Sequence, residues 1–278
     1  MSLRFLPPRH ERIQAVVLDW AGTTLDFGSR APVITLVRIF ARQGVTLTLE
    51  EARGPMGRAK RDHIQALLAL PSIAAQWQSL HGANPDDAAV DRLFADFGPV
   101  QREIISEFST LIPGCREAID ALRARGIKIG SSTGYSREQM DVVEPLAAAQ
   151  GYAPDAAVCA SDIAPGRPAP WMIFENARRL GVYPMRTVVK VDDTPVGIEA
   201  GVNAGCWNVG ISAAGNQTGL SPEELAALPP AERARLVARA ADSLYAAGAH
   251  LVIESIAELP AAIDAIEARL REEARNAV

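Results

Sequence analysis

An apolar run that ends in a carboxylate constrains this chain more than any other feature. Residues 13–18, Ile-Gln-Ala-Val-Val-Leu, read as a buried strand, and Asp19 follows at once with the turn Trp20-Ala21-Gly22-Thr23-Thr24. A carboxylate at the C-terminal end of such a strand stands at the crevice where open α/β sheets bind ligands. Gly22 lets backbone N–H groups approach an anion, and Thr23 and Thr24 add hydroxyl donors. Short apolar runs recur at 127–131, Ala156–Cys159, 188–191 and 206–211, with a brief one at 250–253. Helical patterns at 116–125, 137–150, 169–180 and 196–204 alternate with them; the first opens after Pro113-Gly114 and stops at Gly126. Strand–helix alternation of this kind predicts an α/β fold built on a doubly wound parallel sheet.

Residues 19–126 separate the first two apolar runs, far more than one crossover helix needs. Residues 29–105 hold no good strand and read as helices at 32–43, Leu49–Arg53, 58–70, 72–81 and 85–108. We expect a helical cap domain over 29–105, inserted into a Rossmann-like core formed by residues 1–28 and 106–278. A cap above a strand-end site excludes water and completes the site. The stretch from Ser221 onward is helix-rich, with a break at Pro229-Pro230.

Composition removes several function classes. The chain has 278 residues, 48% hydrophobic and 22% charged, with a net charge of −5 and no Lys/Arg run, so a broad basic face for nucleic acid is not expected. No apolar run is long enough for a membrane-spanning helix, and residues 1–14 lack the apolar core of a signal peptide. Cys115, Cys159 and Cys206 are widely spaced without a CxxC pair, as expected of reduced thiols in a cytoplasmic protein. The four scattered histidines do not suggest zinc.

Four polar clusters fall at or just after strand ends, so the fold should bring them together. They are Asp19 with Thr23, Ser131-Ser132-Thr133-Gly134, Gly166-Arg167-Pro168 and Asp192-Asp193-Thr194. Together they supply a carboxylate nucleophile, hydroxyl and backbone donors, a fixed cation and further carboxylates for a hard metal. Mg²⁺ prefers oxygen ligands and takes one or two protein carboxylates beside water and phosphate oxygens. This is equipment for phosphoryl transfer through an aspartyl phosphate. Many such enzymes carry a second Asp two residues after the nucleophile, where it protonates the leaving oxygen. Here that residue is Ala21, which points to a leaving group needing no proton from it.

The order of these clusters resembles the haloacid dehalogenase superfamily. Within it, Asp19-Trp-Ala-Gly-Thr-Thr, Pro55-Met-Gly-Arg-Ala-Lys-Arg-Asp-His63, Gly130-Ser-Ser-Thr-Gly-Tyr135, Gly166-Arg-Pro-Ala-Pro-Trp-Met172 and Gly181-Val-Tyr-Pro-Met185 resemble the phosphonatase family, which hydrolyses phosphonoacetaldehyde. By its local sequence alone Lys60 would be a solvated helix lysine; the flanking match and Ala21 reverse that reading. The resemblance implies that Lys60 forms a Schiff base and Asp19 takes the phosphoryl group. It further implies that Mg²⁺ is held by Asp19, Asp193 and the Ala21 carbonyl, with Arg167 and Thr133 contacting the phosphoryl oxygens. Met56, His63 and Tyr135 are the remaining candidate substrate contacts, and a homodimer through the cap is implied as well.

The chemistry accounts for the pairing of Lys60 with Ala21. A C–P bond has no oxygen leaving group, and direct cleavage would leave a carbanion. An imine on Lys60 accepts those electrons, so an enamine departs and no acid beside Asp19 is needed. Lys60 must be neutral to attack; Arg58, Arg61, the metal and partial burial are expected to lower its pKa. His63, three residues on and on the same helical face, is placed to shuttle protons. The chain departs from some relatives, which carry Gly-Asp-Thr and a further acid four residues after that Asp; here Asp192 precedes Asp193 and the later position is Gly197. Ser29 also stands where a relative carries Cys. The alternative enzyme is a phosphate-ester phosphatase or mutase, which Ala21 disfavours. A non-catalytic binding protein is the alternative of another class, disfavoured by the intact polar set.

Overall fold

A computed structural model describes residues 12–56 and 60–276. The polar N-terminal residues 1–11 and the expected helix start at Arg58 lie outside the described residues. Six parallel strands form one sheet: β1 Ala15–Leu18, β2 Lys128–Thr133, β3 Ala156–Cys159, β4 Val188–Asp192, β5 Trp207–Ile211 and β6 Leu251–Ile253. Their order across the sheet is β3-β2-β1-β4-β5-β6, so the chain winds outward from β1 in both directions. β1 is buried along its whole length, as the unbroken apolar run requires of a strand covered on both faces. The doubly wound sheet expected from the sequence is therefore present.

Two boundaries differ from the sequence reading, and both matter for the site. β2 starts at Lys128 and runs on through Thr133, so Ser131, Ser132 and Thr133 belong to the strand rather than to a loop after it. β4 extends to Asp192. Parallel pairing with a neighbour satisfies these polar backbones, and Asp192 pairs in register with Gly210 of β5. Trp171 is 46% exposed and packs edge-on against Phe174.

After β1, and before the helix that leads into β2, the described residues form α1 Arg30–Arg42, α2 Leu49–Arg53, α3 Lys60–Leu68, α4 Pro71–His81 and α5 Asp87–Ile104, the last followed by a 3₁₀ turn at Ile105–Phe108. They bury a hydrophobic cluster of their own, with Leu36, Phe40, Ile64, Leu67, Trp77, Leu93 and Phe97 at its centre. The chain leaves the core near Leu25 and returns at Leu111, and these two residues form an antiparallel bridge. Exit and re-entry thus lie side by side, as an inserted domain requires. Asp26 fixes the departure: its two carboxylate oxygens accept the N–H groups of Arg30 and Ala31, each at 2.9 Å, at the start of α1.

The remaining helices, α6 Cys115–Ala124, α7 Arg137–Ala149, α8 Trp171–Leu180, α9 Pro195–Ala204, α10 Pro222–Ala227, α11 Pro230–Ala246 and α12 Leu259–Asn276, belong to the core and its C-terminal extension. Local signals set their ends. Ser136 and Gln139 form a capping box at α7, and Thr194 caps α9 through Gly197 N–H, with Pro195 at the first helical position. All three cysteines are buried and free. No helix among the described residues is long and apolar enough to cross a membrane.

Leu93 of α5 is fully buried in the cap cluster. Leu93→Ala should cost about 3 kcal/mol, the usual cost of an unfilled core cavity, and lower the thermal midpoint. An unchanged midpoint would show that these helices do not share a packed core.

Candidate active site

The parallel register delivers the site. β1 pairs with β4 so that Leu18 faces Val191, which places Asp19 next to Asp192 and Asp193 at the carboxyl end of the sheet. The Asp19 N–H donates to Val191 O at 3.0 Å. One oxygen from each of Asp19, Asp192 and Asp193 lies within 4.8 Å of the others, and all three residues are buried. Glycines make the room. A Cβ at Gly22, whose φ is +82°, would lie 2.1 Å from Asp193 Oδ2, and one at Gly215 would lie 2.6 Å from Asp193 Cβ.

The two adjacent acids have different surroundings. Asp192 is held by cations: Lys190 Nζ donates to its Oδ2 at 2.8 Å and Arg167 at 2.9 Å, while Thr194 donates from N and Oγ1 to Oδ1 at 3.0 and 2.7 Å. Burial alone would raise its pKa, but Lys190 and Arg167 hold it below the ordinary value. Among the described residues, Asp193 forms no ion pair. Its Oδ2 accepts Asn216 N–H at 2.7 Å and its Oδ1 accepts Thr23 Oγ1 at 3.3 Å. Burial, then the charges of Asp192 and Asp19, push its pKa well up. Burial also raises Asp19, against the pull of Arg167.

Among the described residues, Lys190 and Arg167 are the cations that pair with these three buried carboxylates. The donor set is all oxygen and short of positive charge, which fits a hard divalent cation bound by Asp19 and Asp193. Asp192 has its oxygens engaged by Lys190, Arg167 and Thr194 and serves as the anchor of those groups. A Cβ at Gly197 would fall 2.0 Å from Asp192 Cγ, so Asp192 fills the space a side chain at 197 would need.

Above these groups is a cavity of about 1060 Å³, lined by Asp19, Ala21, Thr133 and Arg167 from the core and by Met56 and Lys60 from the cap. Arg167 donates to Asp19 Oδ2 at 3.3 Å; burial would lower its pKa, but Asp19 and Asp192 keep it charged. Thr133 Oγ1 accepts the Tyr135 N–H at 3.1 Å, leaving its own hydrogen for an oxyanion. Tyr135 lines the same cavity, with burial pushing its phenol well above the ordinary value. The Lys60 ammonium sits 4.8 Å from the centre of the Phe97 ring. Burial, reinforced by Arg167, brings its pKa from 10.5 to about 8.

Two expectations about Lys60 change. Arg61 points away, paired with Asp91 at 2.8 Å, so Arg167 rather than Arg61 is the neighbouring charge; Arg58 lies outside the described residues. His63 is not on the cavity wall. It is fully buried, with Nε2 bonded to Ala52 O at 2.8 Å, because its position on α3 faces α2 within the cap. Sequence reasoning missed Lys190 and Asn216. Lys190 carried a usable signal: a lysine inside Val188-Val189-Lys190-Val191 must find a buried partner. Asn216 carried none, since its role rests on a backbone N–H.

Replacing Asp192 with Asn leaves Lys190 buried beside a neutral group. Asp192→Asn should cost about 3 kcal/mol, seen in denaturant unfolding, and a variant as stable as its parent would contradict this placement.

Known proteins resemble this chain along most of its length. The sequence profile of the haloacid dehalogenase-like hydrolases matches residues 13–205. The chain is 47% identical over 260 residues to a phosphonoacetaldehyde hydrolase of Paraburkholderia xenovorans, covering 94% of this chain and 97% of that protein. It is 48% identical over 261 residues to a phosphonoacetaldehyde hydrolase of Klebsiella pneumoniae, covering 93% and 97%. The crystal structure of a phosphonoacetaldehyde hydrolase-like protein from Oleispira antarctica superposes with a TM-score of 0.92 at 41% identity, covering 97% of this chain and 98% of that one.

Proposed function

The chain belongs to the haloacid dehalogenase-like hydrolases and, within them, to the phosphonoacetaldehyde hydrolases, and on that premise we propose that it cleaves phosphonoacetaldehyde to acetaldehyde and phosphate through a Lys60 Schiff base and an Asp19 aspartyl phosphate. One observation carries this reading. A lysine with a pKa near 8 and a buried carboxylate face the same cavity, and the residue beside the carboxylate is Ala21. Residues 29–105 serve as the cap and the rest as the core. Pairing of two copies through the cap belongs to the same reading.

Neutral Lys60 adds to the aldehyde carbon, and loss of water with uptake of one proton from solvent gives the protonated imine. An Asp19 oxygen then attacks phosphorus. The C–P bond breaks, and its electron pair passes into the imine to give an enamine. Arg167 and the Thr133 hydroxyl bind the phosphoryl oxygens as charge builds on them. Water hydrolyses the acyl phosphate and restores Asp19. The enamine carbon takes up a proton, and hydrolysis of the imine releases acetaldehyde and frees Lys60. Mg²⁺, held by Asp19, Asp193 and the Ala21 carbonyl, would supply the positive charge that three carboxylates and a phosphonate require. Met56 packs the aldehyde end, and Tyr135 shapes the wall below it. The cytoplasm, where thiols stay reduced, suits three buried free cysteines.

Borohydride with acetaldehyde should trap an adduct on Lys60, located by mass spectrometry of the digest. Trapping should increase as pH rises through about 8, because the neutral amine is the reactive form and burial beside Arg167 has lowered its pKa to about 8. An adduct on another lysine would sink the Schiff-base assignment. Lys60→Arg should abolish turnover, since a guanidinium stays charged and forms no imine.

Ala21→Asp tests the competing phosphatase reading. It adds a carboxyl beside Asp19, raising nearby carboxylate pKa values. Phosphonoacetaldehyde cleavage should fall by at least a hundredfold, with at most slight gain of phosphate-ester hydrolysis. A parent enzyme that already prefers simple phosphate esters would overturn the phosphonatase reading.

A further inference from the structure

Arg53, the last residue of α2, is a cap cation whose hydrogen bonds, among the described residues, go to core oxygens. Its Nη1 donates to Gly28 O at 3.0 Å, Asn216 O at 3.2 Å and Asn216 Oδ1 at 3.3 Å, and its Nη2 donates to Gly219 O at 2.7 Å. The receiving surface is shaped for a planar guanidinium. A Cβ at Gly219, whose φ is +69°, would lie 2.2 Å from Arg53 Nε, so any side chain there would displace it. The two core segments it bridges are themselves joined, because Gly28 N–H donates to Ala214 O at 2.7 Å.

Both ends of this clamp lead to the chemistry. On the core side, the Asn216 N–H holds Asp193 Oδ2 at 2.7 Å, and Gly215 packs against the Asp193 side chain. On the cap side, Arg53 precedes Met56 by three positions and Lys60 by seven, and both of those residues line the cavity. Half-buried, with carbonyl and amide oxygens as its hydrogen-bond acceptors, the guanidinium is too committed to act as a steering charge; its five donors in a fixed plane suit it to hold two chain segments at one separation.

We propose that Arg53 is a positioning residue that sets the separation between the Lys60 amine of the cap and the Asp19–Asp193 carboxylates of the core. This rests on the Schiff-base and aspartyl-phosphate reading above. Each half of the reaction needs only one of these groups, so imine formation requires Lys60, phosphoryl transfer requires Asp19, and only C–P cleavage requires both at one distance.

The test measures the halves separately in Arg53→Ala and Arg53→Lys. Borohydride trapping with acetaldehyde reads Lys60 alone. Hydrolysis of acetyl phosphate reads the core alone, because acetate leaves without an acid and so suits Ala21. The expected result for Arg53→Ala is a loss of a hundredfold or more in kcat on phosphonoacetaldehyde. Trapping and acetyl phosphate hydrolysis should stay within about threefold of the parent, and millimolar guanidinium should restore part of kcat. Arg53→Lys should fall between, since one ammonium cannot span Gly28, Asn216 and Gly219 together. A parallel fall of all three activities, or no fall in any, would overturn the positioning role. A parent enzyme that neither traps nor cleaves would instead overturn the underlying reaction, and so the two failures are distinct.

Discussion

Repulsion among three carboxylates buried at one end of the sheet is the constraint that organises this molecule. Two unit charges about 4 Å apart interact by about 4 kcal/mol at an effective dielectric near 20, far more than an exposed ion pair contributes. Asp19, Asp192 and Asp193 lie at such separations. The surroundings answer this one problem. Lys190 is threaded through the middle of β4, where a lysine would otherwise be untenable, and Arg167 reaches in from the loop before α8. Helix α9 contributes Thr194, and glycines at 22, 197 and 215 remove side chains that would collide with the acids. The positive charge still lacking suits the site to a cation.

The second half of the site obeys the opposite electrostatic rule. In the proposed reaction Lys60 has to lose its charge, and burial favours that loss. Burial is the main cause of its lowered pKa, with Arg167 adding to it. Arg167 therefore acts on both halves. It stabilises the carboxylates from one side and disfavours the Lys60 ammonium from the other. Such opposite demands are hard to meet on one rigid element. Here the carboxylates sit on the sheet and the amine on an inserted helical layer with its own core. The antiparallel bridge between Leu25 and Leu111 and the Asp26 bonds to α1 join the two layers at a narrow neck.

Much of this was legible before any coordinates. Unbroken apolar runs ending in Asp19 and in Asp192-Asp193 predict neighbouring parallel strands, because a strand covered on both faces must be apolar and polar residues collect at its carboxyl end. The long helical stretch between the first two runs predicts an insertion. Residues 19, 21, 133 and 167 stand out by type and context and Lys60 through the family resemblance, and the structure gathers all five around one cavity. Helical periodicity misled at His63. A spacing of three places it on the Lys60 side of α3, but a helix face wide enough to hold both is shared between cavity and cap core, and α2 claims the histidine.

What the sequence alone determined is the chemistry available and the order of elements that carry it: a strand-end carboxylate without a companion acid, a lysine in an inserted helical segment, and a parallel sheet to hold the acids. Those follow from residue type, apolar runs and turn punctuation, which are local. Only the tertiary structure decided how Asp192 and Asp193 divide their work, which cation lowers the Lys60 pKa, and that Asn216 belongs to the site. These depend on which groups meet across separations of more than twenty residues in a medium that screens charge poorly. No local pattern encodes such a meeting; close packing of the sheet, the loop before α8 and the cap imposes it.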